Sequence, residues 1–221
     1  VLGTDFNRYT TNMNVGYKVS DHFRIGSNIS IFHDEKHYIN EESYHVGIIN
    51  TAIKLEPVVP VWADKAAGKY GVSPNNDYPN PLAAINLTHS AGKKFQIVGN
   101  VFGELTLVKG LKVKTSFGQY SNWVDTYNFT PTYDISVNQV NKQNQIARGY
   151  TKFNHWTWDN TIHYDTKIGK NSISALGGFS MEDQRKETLN GSATNVPNEA
   201  PSMWYVSAGA DGFLASGSGY E

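Results

Sequence analysis

The stretch from Tyr9 to Ile31 reads YTTNMNVGYKVSDHFRIGSNISI, and its residues alternate in character. Up to Val19, one parity carries mainly large apolar side chains, while the other carries Thr, Asn, Gly and Lys. The alternation returns after Ser20-Asp21-His22. A period of two is typical of a β-strand with one apolar and one polar face. The stretch therefore predicts a hairpin of two long strands closed by a tight turn.

The same pattern predicts two more hairpins, one from Phe95 to Phe117 and one from about Tyr150 to Met181. Strands of ten or more residues are long enough to cross a bilayer at a tilt. The intervening segments are long and span roughly 39–92, 128–148 and 186–221. Short turns at one end and long loops at the other are typical of an outer-membrane β-barrel. We therefore expect an all-β, antiparallel barrel wall of about six strands in three hairpins, with periplasmic turns and extracellular loops.

Amino-acid composition narrows the classes of protein to which the chain can belong. The chain has 221 residues and no Cys, and its 19 basic residues nearly balance its 20 acidic residues, so nothing indicates a nucleic-acid partner. Its 13 Tyr and 5 Trp fit a β-rich protein. A mean hydropathy of -0.46 is uninformative, because only alternate residues of a barrel strand face lipid. Both ends of the sequence look cut, so we expect residues 1–221 to be a piece of a longer protein.

The two parities predict two environments. In a barrel the apolar parity faces the lipid bilayer, and the polar parity faces a water-filled lumen. The predicted lumen-facing residues of the first hairpin are Arg8, Asn12, Asn14, Arg24 and Asn28. A soluble antiparallel sheet, with the apolar face in a core, gives the same alternation and remains an alternative.

The first long segment contains a helix-like pattern. Val46, Ile49 and Ile53 are spaced as on one face of a helix, and Glu41 and Glu42 suit its amino-terminal end. We expect this short helix to end before Pro57.

Aromatic residues in the predicted loops are the candidate ligand contacts, because their rings can stack on sugars or on ligand side chains. Packing within the loops is the alternative. These candidates are Trp62, Tyr70, Tyr78, Tyr127 and Tyr133.

No combination of residues indicates catalysis or a cofactor, so we do not expect an enzyme. His33 and His37 have the spacing of helical metal ligands, but on a strand they lie about 13 Å apart. We interpret them as solvated residues where a strand leaves the membrane and expect no metal site.

Several stretches resemble one family in a fixed order. EPVVPVWADKAAGKYG (residues 56–71) and YPNPLAAI (78–85) resemble a loop of SusC/RagA-type TonB-dependent transporters and its following Asn-Pro. GNVFGELTLVKGLKVKTSFG (99–118) resembles their strand–turn–strand, and WDNTIHYDTKIGKNSISALGGFSMED (158–183) resembles their next hairpin. One departure is Asn171, where members often carry His.

The resemblance implies an outer-membrane barrel of about 22 strands, of which this chain would supply one arc. It further implies import of oligosaccharides or peptides with a SusD-like surface lipoprotein, driven by the TonB complex. The plug and the TonB-contacting parts are not in this sequence.

Two other functions remain open. A soluble β-rich carbohydrate-binding or glycosidase domain would bury the apolar parity between two sheets. A porin or an adhesin would share the membrane wall but lack a plug.

Overall fold

The computed structural model describes residues 2–39, 47–75, 78–137 and 139–220. Most of them form one antiparallel sheet of seven strands, in the order β1-β2-β5-β6-β9-β10-β11. These strands are β1 (Asp5–Lys18), β2 (Phe23–His37), β5 (His89–Val108), β6 (Leu111–Thr130), β9 (Gln145–Ile168), β10 (Asn171–Thr194) and β11 (Asp211–Tyr220).

The three predicted hairpins are confirmed, with their turns at residues 19–22, 109–110 and 169–170. All three turns lie at one end of the sheet, hereafter the turn end, because successive strands are antiparallel. Gly110 and Gly169 have positive φ angles, which glycine adopts without steric cost. A Cβ at Gly110 would also lie 2.1 Å from the Asp165 carbonyl oxygen, so no other residue fits there without a backbone shift.

The strands extend further from the turns than the alternation predicts. β5 begins at His89 and β10 continues to Thr194, through stretches rich in polar residues. The long segments are therefore shorter than expected and span residues 38–88, 131–144 and 195–210, at what we call the connection end.

The interpretation of residues 186–221 as a loop is wrong in two places. β10 occupies the first part, and β11 pairs with β10 from Lys186↔Tyr220 to Thr194↔Asp211. Beyond Leu214, small residues such as Gly217 and Gly219 dominate β11 up to Tyr220, so the strand has little of the alternation that marks the others.

The connections contain short elements of their own. Helix α1 (Ile48–Lys54) packs against helix α2 (Pro81–Leu87). Two small hairpins are formed by β3 (Trp62–Asp64) with β4 (Lys69–Tyr70), and by β7 (Tyr133–Ser136) with β8 (Gln139–Asn141). Among the described residues, no helix is long and apolar enough to cross a membrane.

The predicted first helix exists but has a different buried face. Ile48 and Thr51 are buried, whereas Ile49 and Ile53 are exposed. The helix ends before Pro57, as expected. Glu41, Glu42 and Val46, which also supported the prediction, lie outside the described residues.

Register assigns every residue of the sheet to one of two faces. The row through Tyr9 on β1 continues to Lys152 on β9 and Glu187 on β10. On β10, however, this face carries the charged residues Asp183, Arg185 and Glu187, with Leu189 beyond them, and its large apolar side chains resume at Met181, nearer the turn. The apolar band therefore crosses the rows obliquely, which is the geometry of strands tilted relative to the band.

Away from the connection end, the apolar face is not covered by a second layer in the part of the chain that the structure describes. Tyr9, Val15 and Tyr17 are 66%, 52% and 62% exposed. A soluble two-sheet sandwich would bury these side chains against the facing sheet. The described fold therefore does not match the soluble alternative.

A small core lies on this same face at the connection end. Phe129, Ile146, Ala193 and Val196 form it, and residues of the third connection pack over it. The packed residues are Met203, Trp204, Val206 and Ala208. The connection end thus has a fixed tertiary structure beyond the sheet.

Candidate functional site

Asn80 organises the first connection. Its side-chain oxygen accepts hydrogen bonds from the backbone N–H groups of Leu82 and Ala83 and so caps α2, with Pro81 at the first helical position. Its amide nitrogen donates to the carbonyls of Val61 and Gly71, which flank the β3–β4 hairpin. One buried side chain therefore joins a helix start to a hairpin.

Gln139 joins the first connection to the second. Its Oε1 accepts from the Asn80 backbone N–H at 3.0 Å, and its Nε2 donates to the Asn80 carbonyl at 3.4 Å. Both residues are buried. The Gln139 side-chain amide thus forms hydrogen bonds with both the N–H and the C=O of Asn80, as the backbone of a neighbouring strand would.

Asn144 joins the second connection to the third in the same way. Its Oδ1 accepts from the Val196 backbone N–H at 2.7 Å, and its Nδ2 donates to the Val196 carbonyl at 2.9 Å. Nδ2 also reaches the carboxylate of Glu199, which accepts from the Thr132 backbone N–H at 2.7 Å. Burial raises the pKa of Glu199, but these hydrogen bonds outweigh burial and lower the pKa below its ordinary value.

Trp204 holds the third connection on the sheet. Its ring stacks on Phe129 with centroids 4.6 Å apart and contacts His89 at 4.9 Å, while its Nε1 donates to the Glu199 carbonyl. The three connections, although distant in sequence, form one hydrogen-bonded and packed cap on the connection end, which we call the loop cap (the described residues of 38–88, 131–144 and 195–210). Sequence reasoning missed these contacts, and only the Asn80-Pro81 pair carried a local signal, that of a helix start.

The five predicted ligand-contacting aromatics are in different places. Trp62 and Tyr70 stack at 4.3 Å across the β3–β4 hairpin, and Tyr133 begins β7. Tyr78 has the Lys54 ammonium 5.6 Å from its ring centroid. Tyr127 was expected in a loop but lies on β6. Arg148 lies over its ring at 5.0 Å, and the Trp204 ring is 6.0 Å away.

The five residues predicted to face a lumen share one face of the sheet, because all have the same parity in register. Asn14 pairs with Asn28, whose Nδ2 donates to Asn100 on β5. Arg8 forms two hydrogen bonds with Asp34, at 2.7 and 2.8 Å. Asn12 accepts a hydrogen bond from Ser30. Hydrogen bonds between side chains thus join neighbouring strands on this face, which we call the polar face.

Near the turn end the polar face carries charged residues of both signs. Arg24 and Lys114 lie 5.9 and 4.8 Å from the centroid of the Phe102 ring. Glu104 lies between them in the same row.

His33 lies within β2, whereas His37 is the last residue of the strand and so lies at the edge of the first connection, as expected. His37 Nδ1 is 2.8 Å from Asp5 Oδ2, and His33 Nε2 is 3.4 Å from Glu35 Oε1. Within the described ranges, no three His, Asp or Glu side chains are grouped so as to hold a metal ion.

Comparison with known proteins agrees with this geometry. The chain is 23% identical over 206 residues to TonB-dependent receptor P3 of Formosa agariphila, covering 90% of this chain and 20% of the receptor. It is 21% identical over 195 residues to TonB-dependent receptor P26 of the same organism, covering 87% of this chain and 19% of that receptor. The chain thus spans about a fifth of the length of these relatives. No family model matches it.

The fold matches solved transporter structures. The RagAB peptide transporter aligns with a TM-score of 0.72 at 14% identity, covering 98% of this chain and 25% of the matched chain. The closed-closed state of the RagAB peptide importer aligns with a TM-score of 0.78 at 16% identity and the same coverage. The matched proteins are receptors and transporters, not enzymes. The predicted resemblance is confirmed: the chain is similar to a segment of TonB-dependent receptors, with the fold of a barrel-wall section of a RagA-type outer-membrane transporter.

Proposed function

We propose that residues 1–221 are part of the β-barrel domain of an outer-membrane, TonB-dependent nutrient importer. The observation that carries the proposal is the two-sided sheet, whose exposed apolar band runs obliquely across strands of 14 to 24 residues. Such strands are long enough to cross the hydrocarbon layer, which needs about 9–11 residues per tilted strand. The turn end would be periplasmic, and the loop cap would be extracellular.

The proposed substrates are oligosaccharides or peptides, taken up with a SusD-like surface lipoprotein. Relatives named TonB-dependent receptors support the energy source, and the fold match to a peptide transporter supports the transport role. The TonB complex would act through parts of the longer protein outside this chain. In this proposal the chain has no catalytic role and binds no cofactor.

The β3–β4 hairpin is the proposed lipoprotein contact. Its tip, residues 63–69, is exposed, while the stacked Trp62 and Tyr70 rings brace its base. Asn86 Nδ2 donates to the Tyr70 hydroxyl and ties the hairpin to α2. Such a braced projection can contact a partner above the barrel without rearranging the sheet.

The test uses the full-length gene in its native host. Deleting the gene should abolish uptake of the substrate that the host imports through it, and the wild-type protein should co-purify with a lipoprotein from detergent-solubilised outer membranes. A double variant, Trp62→Ala with Tyr70→Ala, should reduce co-purification while the barrel still assembles. Uptake unchanged by gene deletion would contradict the importer proposal, and undiminished co-purification would contradict the hairpin contact alone.

A further inference from the structure

A groove of about 640 Å³ lies at the connection end, where β6, β9, β10 and β11 meet. Register places a run of small and polar residues of these strands on the polar face here. One row reads Thr126, Gly149, Asn190, Ser216, and the next reads Asn128, Ala147, Ser192, Leu214. The glycine and alanine on β9 have smaller side chains than the residues beside them on β6 and β10, so the surface is concave.

The groove offers hydrogen-bonding groups that the protein itself does not use. Among the described residues, the side chains of Gln145, Asn190, Ser192 and Ser216 have no hydrogen-bond partner, and Gln145 and Asn190 are exposed. At Gly149 a Cβ would lie 2.7 Å from Thr126 Oγ1 and 2.9 Å from Asn190 Oδ1, so these two oxygens converge over one point. Amides and hydroxyls around a shallow floor can donate to and accept from a ligand's hydroxyl groups.

The groove is also electrically neutral. Of the described residues that line it, only Arg148 is charged, and its parity is that of the opposite face, where it covers Tyr127 and lies 3.9 Å from Asp125. A charged ligand would lose hydration here without gaining an opposite charge. A neutral ligand rich in hydroxyl groups would instead exchange water for matched hydrogen bonds.

We infer that this groove binds a neutral sugar unit of the transported substrate, with Asn190 and Ser216 as its main hydrogen-bonding residues. The inference rests on the proposed importer function and narrows its substrate from oligosaccharides or peptides to uncharged saccharides. Among the described residues that line the groove, only Leu214, Ala147 and the Tyr38 ring could receive the apolar side chains of a peptide on this face.

The experiment uses the full-length protein in detergent, probed with an array of neutral oligosaccharides, uronate-containing oligosaccharides and short peptides. The wild type should bind one or more neutral oligosaccharides. For the strongest, Asn190→Ala with Ser216→Ala should weaken the affinity about tenfold or more, the effect of losing one or two hydrogen bonds. Asn190→Asp keeps the side chain's shape but removes its donor and adds charge, so it should cause a similar loss even if the double variant assembles poorly.

The matched control is Asn171→Ala, an exposed asparagine at the turn end, which should leave the affinity unchanged. Binding of only acidic saccharides or peptides, binding of no probe, or equal binding by wild type and both groove variants would overturn the inference. Uptake by the host, measured in parallel, separates the two proposals: uptake that persists in the groove variants leaves the importer proposal intact while the groove loses its role.

Discussion

Asn80 and Gln139, 59 residues apart in sequence, are joined by two hydrogen bonds between one side-chain amide and both backbone groups of one residue. Neither residue belongs to the large sheet. The contact fixes the first connection to the second, and Asn144 repeats the arrangement between the second and the third. The loop cap is therefore a folded unit whose stability can be changed separately from that of the barrel wall.

Gln139→Leu should loosen the first connection. The substitution leaves the buried N–H of Asn80 without its partner, a cost of about 1–3 kcal/mol, while the Asn80 C=O keeps the hydrogen bond from the Ala84 N–H. Hydrogen exchange of residues 78–88 in the full-length protein should accelerate, with exchange of β5 and β6 unchanged. Gln143→Leu, at an exposed position four residues further on, is the control. Equal exchange in the two variants would show that the contact does not hold the cap together.

Acid should release the third connection. Because the pKa of Glu199 is below its ordinary value of 4.5, its hydrogen bonds contribute stability that is fully present above that value. That stability is lost as pH falls through the lowered pKa. Protection of the Thr132 amide, corrected for intrinsic rates, should thus fall as the pH drops below 4.5 and through the lowered pKa. Glu199→Gln should remove this pH dependence, and a variant that retains it would refute the assignment to Glu199.

Trp204→Ala should uncover the small core at the connection end. Loss of the ring from Phe129 and His89 should cost about 3 kcal/mol of local stability. Protease cleavage within residues 195–210 should therefore become faster in the assembled protein. Tyr205→Ala, which removes a ring that is 60% exposed, should have little effect. If both variants are cleaved at the same rate, Trp204 does not anchor the segment.

Charge on the two faces should have opposite consequences for assembly. Val15→Arg or Ile29→Arg places a cation on the apolar face at a cost of about 2–4 kcal/mol near the bilayer midplane. Asn14→Arg or Asn28→Arg places it on the polar face, beside other polar groups. Heat-modifiable migration of the full-length protein in outer-membrane fractions measures assembly. Equal assembly of all four variants would refute the membrane orientation.

The sheet could be predicted from the sequence to the extent that its two faces meet different environments. Around Val15 and Trp158 the alternation is strong, and the predicted hairpins are correct. Toward His89 and Thr194 it fades, because the strands continue into a region where both faces carry polar residues. β11 escaped prediction because its small residues carry no periodic signal, and its position is set by pairing with β10.

The loop cap could not be predicted for a different reason. Its contacts join residues far apart in sequence, such as Asn144 with Val196, and a single Asn or Gln gives no local sign of such a partner. Tyr127 shows the same limit. It was assigned to a loop, yet it lies on a strand beneath the Arg148 guanidinium.

The register of β9 and β10, unbroken over 24 residues each, limits how the length of this gene can change. Losing one codon between Gly177 and Met181 would move every β10 residue beyond it to the opposite face. Residues that now share the polar face with Asp159 would then lie on the apolar face, and residues that now share the apolar face with Phe179 would lie on the polar face. Losing two codons would keep every side chain on its present face and shift the pairing of β10 with its neighbours by two residues. Among descendants of a common ancestor, strand-coding regions should therefore gain or lose codons in even numbers, while regions encoding the connections vary freely.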